Sequence, residues 1–383
     1  MRIYTCPALM DLALFLVTFA VLYAAGERHM TLAQCMWIGG IFQVAYLAFS
    51  MASGMVLSRR NARPILLVST CGCILSGVAS LYLTGFIPLL IAFAANGAFC
   101  AWFFNSFQTF MRSESPPGSL ARSVSLYTLA WSGGSALGFI SSGTFYRLGM
   151  HALCLLTLAI GAVIFTILAR HRSRPEEHPS ADDHVEEGSA AAPRVDPLYV
   201  WVGWIIIFAA MFVQRPVTTY FPTLSAKAGI SPFLASLPLF LHYLIQGIFG
   251  HRMDKFRDLL YRRTPLWLFQ GAGAVLFFVM WRQPSYAVCA VAVSLLGFYT
   301  GFAYFCAVYY ASNSGKRSLN IGVNECLVGV GSLAGLVISE WWMRRGGNEA
   351  GMYLVCGVAL TTATALQLAV TSLRRSPSAS RPA

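Results

Sequence analysis

Four ionisable side chains lie inside long apolar runs, where a charge costs several kcal/mol and so marks a functional candidate. Glu325 follows Asn324 and precedes the glycines Gly329, Gly331 and Gly335. A carboxylate there could take up and release a proton, or it could stay a hydrogen-bonded packing residue. Arg215 stands between Gln214 and Pro216, and the proline frees a backbone carbonyl and bends the helix. A buried guanidinium suits the anionic group of a solute, or an outer gate with Glu27 at similar depth; snorkelling outward is the alternative. His242 could carry a proton or simply be hydrogen-bonded. Asp11 is a third coupling candidate, or a headgroup-level residue early in its run. Two further runs mix rings with amides: Trp102, Phe104, Asn105 and Gln108 in one, Tyr299, Phe302, Tyr304 and Tyr309 in the other. Such walls suit a partly apolar organic solute, although rings of this kind also face lipid.

The elements that position these residues are apolar runs of the length needed to span hydrocarbon, about 20 residues. Reading runs against polar breaks predicts twelve helices. The first six cover 7–26, 33–57, 64–84, 86–111, 120–145 and 149–171. The second six cover 198–221, 231–251, 264–282, 285–311, 318–343 and 350–373. The chain is 57% hydrophobic and only 11% charged, which places it outside the soluble class. The first run is too long for a signal-peptide core and carries Asp11, so it reads as a retained helix.

The net charge of +12 does not point to nucleic acid, because the basic residues sit in short clusters between apolar runs. Ten cysteines include one close pair, Cys71 and Cys73, and the histidines show no ligand spacing. Neither a metal nor a cofactor is expected. No Ser/His/Asp set and no phosphate-binding Gly-rich loop is present, which argues against an enzyme and against direct ATP drive.

Lys and Arg in the short loops fall 20 to one side and six to the other, of 27 in all. The excess marks the cytoplasmic side, and it holds both termini and the central linker. The predicted organisation is a six-helix bundle over 1–171, an acidic linker over 172–197, a second six-helix bundle over 198–375 and a tail over 376–383. Six plus six with both ends inside gives the halves one orientation, a parallel pseudo-two-fold repeat. Two echoes agree: Gly134-Ser135-Ala136-Leu137-Gly138 against Gly331-Ser332-Leu333-Ala334-Gly335, and Gly54 with Ser58 and Arg59 against Gly250 with Asp254 and Lys255. The glycine runs read mainly as close helix packing.

In helix count, central linker and loop signatures the chain resembles the major facilitator superfamily of secondary transporters. The family's loop after its second helix, Gly-x-x-x-Asp-Arg/Lys-x-Gly-Arg-Arg, is matched by Gly54, Arg59 and Arg63, with Ser58 in place of Asp and Asn61 in place of Gly. The second-half loop keeps Gly250, Asp254 and Lys255. The resemblance implies an all-α membrane protein in which these six residues form cytoplasmic gates, with Asp254 facing the start of helix five near Ser123 and Ser125. It also implies that helices four and ten border a central cavity, giving Trp102, Asn105, Gln108, Tyr299, Tyr304, Gln214 and Arg215 as solute contacts. The expected function is a multi-pass plasma-membrane symporter or antiporter, working as a monomer by alternating access. Its partners are a small-molecule substrate, a proton or other ion coupled through Glu325, His242 or Asp11, and the lipid bilayer. A non-transporting sensor or scaffold of the same fold, and a membrane lipid or glycan enzyme, are the alternatives.

Overall fold

The computed structural model describes residues 2–58, 60–114, 120–171, 197–260, 262–312, 317–346 and 348–372. Among them twelve long helices run in chain order: α1 Thr5–Glu27, α2 Leu32–Val56, α3 Ala62–Tyr82, α4 Phe86–Glu114, α5 Leu120–Phe145, α6 Met150–Arg170, α7 Pro197–Lys227, α8 Pro232–Arg252, α9 Arg263–Arg282, α10 Tyr286–Ser312, α11 Arg317–Gly346 and α12 Gly351–Ser372. Each expected span is present, and the described residues hold no strand. α7 continues through both Pro216 and Pro222, past its expected end at 221. Packed neighbours can satisfy the carbonyls that each proline frees, so the helix bends without ending. The expected linker and tail lie outside the described residues, apart from Pro197 at the start of α7.

Eleven of these helices are long and apolar enough to cross a membrane. The twelfth, α5, is of similar length but richer in serine. Its polarity has a structural reason: Ser132, Ser135 and Ser142 are fully buried, and Ser142 donates to the Leu16 carbonyl at 2.8 Å. A helix wrapped by protein needs less apolar surface than one facing lipid. An even number of crossings puts both termini on one face, called here the terminal face; the opposite one is the far face.

Close backbone docking sets the helix pairs. A methyl on Gly134 or Gly138 would collide with the Ala8 or Leu12 carbonyl of α1. Likewise a methyl on Gly331 or Gly335 would meet the Phe208 or Phe212 carbonyl of α7. The same holds for Gly97 against Phe42, between α4 and α2, and Gly297 against His242, between α10 and α8. Each contact recurs in the second half 197 or 200 residues later in number. The glycine echoes are therefore packing devices, as small residues are in membranes generally.

The turns after α1 and α7 match too. Met30 N–H donates to Ala25 O at 3.0 Å and Ile230 N–H to Ser225 O at 2.9 Å, each closing the helix end with the preceding residue left-handed. That residue is Gly229 at φ 71° in the second half but His29 at φ 55° in the first. A side chain in this region costs about 1–2 kcal/mol.

Across the far face the two halves are sealed together. Thr223 Oγ1 donates to Leu22 O at 2.9 Å, Tyr23 Oη to Ile230 O at 2.7 Å, and Gly143 abuts Ser236 and the Pro232 carbonyl. Beneath these contacts Phe15, Phe139 and Tyr243 form a mutual ring cluster with centroids 5.0–5.4 Å apart. Phe19 extends it to Tyr23, and Tyr23 meets Tyr146 at 4.9 Å.

Candidate functional site

Below this plug, towards the terminal face, lies a cavity of about 200 Å³, room for a small organic molecule but not a macromolecule. Its walls come from α1, α2, α4, α5, α7, α8, α10 and α11; α3, α6, α9 and α12 contribute nothing to it. The lining residues on α4 are Cys100, Phe104, Gln108 and Met111, and on α10 Tyr304, Val308 and Ala311. These spacings of three and four trace one face of a helix.

Of the expected solute contacts, Gln108, Gln214, Arg215 and Tyr304 line the cavity. Trp102, Asn105 and Tyr299 do not, and the helical period explains each correction. Trp102 stands two residues from Phe104, roughly opposite the lining face at about 100° per residue. It packs instead on Phe49 and Phe99. Asn105 turns to α2, donating to Ser53 Oγ at 2.6 Å. Tyr299 is buried within its own half beside Gly273.

Of the three coupling candidates, Glu325 and Asp11 line the cavity, and His242 lies one layer behind. His242 is 2% exposed, with Nδ1 2.9 Å from the Val293 carbonyl and Nε2 3.0 Å from Gln214 Nε2. A carbonyl only accepts, so Nδ1 carries the hydrogen and Nε2 accepts from the amide. Gln214 Nε2 also donates to Gln246 Oε1 at 2.7 Å, and Gln246 Nε2 to Ser132 Oγ at 3.2 Å. Tyr304 donates to Gln214 Oε1 at 3.2 Å. His242 is therefore a satisfied member of a neutral network that crosses from α8 to α5, and it orients Gln214 towards the cavity.

Arg215 does not gate with Glu27. The Glu27 carboxylate accepts from Tyr146 Oη at 2.5 Å near the far face. Tyr146, just past the end of α5, has its pKa raised by burial and then by that carboxylate, so it remains a phenol. Glu340 pairs with Arg344 at 3.7 Å, also towards the far face. Arg215 instead faces Gln43 of α2. With the amide oxygen turned to the guanidinium, Gln43 Oε1 accepts from Nε and Nη2, each at 3.1 Å. The opposite amide orientation would set donors against donors. Asp11 is the carboxylate electrostatically coupled to Arg215, although none of the described residues makes an ion pair with it within 4.0 Å.

At the terminal face the structure describes only some of the gate candidates. Arg59 lies outside the described residues. Arg63 does not reach across the halves; it donates to the Leu168 and Ala169 carbonyls at the end of α6, at 3.1 and 2.7 Å. Arg263 does the same for Thr371 near the end of α12. A cation at a helix C-terminus meets the negative end of the backbone dipole, and both arginines are clamps within one half. Asn61 closes its own loop, accepting from Ser58 N and donating to Val56 O, each at 2.7 Å. Gly54 ends α2, and Gly250 packs α8 onto Gly301 of α10. Asp254 lies in a short 3-10 turn, Met253–Phe256, and Lys255 in that turn is exposed. His251 of α8 reaches the start of α5, its Nδ1 2.7 Å from Ser125 Oγ.

Sequence reasoning missed Gln43, Tyr46, Tyr127, Trp131 and Tyr243 in the cavity wall. One signal could have found some of them. Gln43 and Tyr243, like Phe15 and Arg215, are 200 apart in number, so the repeat that places one cavity residue places its mate.

Residues 3–316 match the family model of the Major Facilitator Superfamily. No curated protein sequence matches the chain. The fold is similar to a crystal structure of a D-xylose-proton symporter, with TM-score 0.72 and 15% identity over 95% of this chain and 96% of that one. It is also similar to a bacterial homologue of the human lysosomal transporter Spinster, in an inward-facing and occupied conformation. There the TM-score is 0.65 and the identity 14%, over 97% of this chain and 95% of that one.

Proposed function

The chain belongs to the Major Facilitator Superfamily and is a multi-pass membrane transporter, not an enzyme; we propose that it moves a small organic solute by alternating access, with a proton exchanged at Glu325. The observation that carries this reading is the placement of Glu325, a carboxylate on the wall of a cavity shared by both halves. Among the described residues no hydrogen-bond donor or base partners it. A carboxylate without a counter-ion in a low-dielectric setting changes its charge readily, and a bound proton alters which orientation of the halves is favoured.

The mechanism uses both halves as units. The far-face plug of Phe15, Phe139 and Tyr243 closes one route while the cavity lies towards the terminal face. Rocking would part the Thr223–Leu22 and Tyr23–Ile230 contacts and close the terminal side around the His251–Ser125 contact already present there, with the turn bearing Asp254 and Lys255 as its gate. Arg215, Gln214, Gln108 and Tyr304 contact the solute, with Asp11 balancing Arg215. The Lys/Arg asymmetry favours both termini cytoplasmic, so this cavity faces the cytoplasm, and the membrane we assign is the plasma membrane. The two six-helix halves, 1–171 and 198–375, are the moving bodies.

The experiment is solute uptake into proteoliposomes under an imposed pH gradient, using a compound that raises the melting temperature of the purified protein. Gradient-driven accumulation is expected for the wild type. Whatever exchange Glu325→Gln retains, at compound concentrations high enough to occupy it, should not respond to the gradient. Gradient-driven accumulation by that variant at wild-type level contradicts the coupling role.

A further inference from the structure

We infer that the solute of this cavity is an organic amine carried as its cation, its ammonium held at Glu325 and its body lodged among the surrounding rings. The inference rests on the transporter reading above and names its substrate class.

Three charged residues line the cavity: Asp11, Arg215 and Glu325. Arg215 is already engaged by Gln43 Oε1 through two hydrogens, and two carboxylates line the cavity against this one cation. Glu325 is the charge left over, so a ligand that completes the site carries the opposite sign.

Hydrogen bonding points the same way. Asn324, 4% exposed and on the cavity wall, has an Oδ1 with no partner. No donor among the described residues reaches the carboxylates of Asp11 or Glu325. Two unmet acceptors, Asn324 Oδ1 and the Glu325 carboxylate, are thus adjacent on α11. An ammonium brings up to three donors and one positive charge, which answers both needs at once. A carboxylate or phosphate ligand would set a further negative charge and further acceptors beside Glu325 and Asn324.

The rings supply the remainder. Trp131 of α5 and Tyr304 of α10 meet edge-on at 5.1 Å across the two halves, and Tyr127 stacks on Phe107 at 5.8 Å. Tyr46 stacks on Phe42 at 6.3 Å. Aromatic faces attract cations and accept apolar bodies. Because the proton and the ammonium would occupy the same carboxylate, each excludes the other, and one proton leaves Glu325 as one cation binds. Charge at the site balances in that step, and the solute and proton then travel in opposite directions.

The test is calorimetric binding to the purified full-length protein of arylalkyl compounds matched in carbon frame: 3-phenylpropylamine, 3-phenylpropanoate and 3-phenylpropanol, with their naphthyl analogues. The amines should bind at least tenfold tighter than the matched carboxylates and alcohols. Lowering the pH should weaken amine binding while proton release, read from buffers of different ionisation enthalpy, rises towards one per cation. Glu325→Gln should lose at least tenfold in amine affinity, and Asn324→Leu a smaller amount. Equal or tighter binding of the carboxylates or alcohols overturns the inference, as does binding of no amine, or amine binding unchanged in Glu325→Gln. Amine binding with these signatures but no gradient-driven flux in proteoliposomes would uphold the substrate class and overturn the transport coupling instead.

Discussion

The two halves of the molecule share one geometry and divide its chemistry. Asp11 and Met211, Leu14 and Gln214, and Phe15 and Arg215 occupy equivalent places on α1 and α7, and all six line the cavity. Thr128 and Glu325 are equivalent on α5 and α11 and line it as well. On these four helices the first half supplies Asp11 where the second has Met211, and the second supplies Gln214, Arg215 and Glu325 where the first has Leu14, Phe15 and Thr128. The difference teaches what the repeat constrains. Helices dock through glycines and backbone carbonyls, Gly134 and Gly138 on α1 and Gly331 and Gly335 on α7, and these contacts are alike in the two halves. Apart from Phe15 beside Gly138 and Met211 beside Gly331, the cavity side chains do not enter these glycine contacts, so they can differ without moving the frame.

The comparison can be broken first at its seams. Gly134→Val and Gly335→Val should each destabilise the protein by about 3 kcal/mol, since the new side chain meets backbone that cannot yield. Gly133→Val, where nothing lies within 4 Å, should leave the melting temperature nearly unchanged. A harmless Gly335→Val would show that the seams are looser than the shared geometry requires.

The clamps come next. Arg63→Ala and Arg263→Ala should each cost about 1 kcal/mol in thermal or denaturant unfolding, with similar sizes because each frees carbonyls near the end of one helix. If Arg63 were instead a latch across the halves, its variant would keep its stability and change the transport rate.

The smallest effect distinguishes the far-face turns. His29→Gly should stabilise by roughly 1 kcal/mol, because glycine carries no penalty in the left-handed region. Gly229→Ala should destabilise by a similar amount. Equal responses of opposite sign, read by melting temperature, would confirm that the two turns differ only in the residue placed there.

Much of this was legible in the residue order for a plain reason. Apolar runs near 20 residues leave few alternatives to membrane helices, and α5 is legible in the same way, as a run between polar breaks, despite its serines. Glu325, Arg215 and Asp11 stood out because polar groups are rare in such runs. The rotation of each helix was not legible where rings occur all round it, which is why Trp102 and Tyr299 were misplaced while Gln108 and Tyr304 were not. Tyr46 and Tyr127 carry no signal of their own, since a tyrosine in a span is equally at home against lipid. Arg63 was misread because a loop motif gives position but not direction: its guanidinium turns to the carbonyls of its own half. His251, three residues before Asp254, also reaches the start of α5, while the side chain of Asp254 lies outside what the structure describes.

The central claim is that the proton-exchanging group sits in the second half, at Glu325, and not at its first-half neighbour Asp11. Infrared difference spectroscopy of the purified protein, titrated with pH, reads the carbonyl stretch of a protonated carboxylic acid directly. A band that grows on acidification should be present in the wild type and in Asp11→Asn and should vanish in Glu325→Gln. A titrating band that survives Glu325→Gln unchanged would contradict the account.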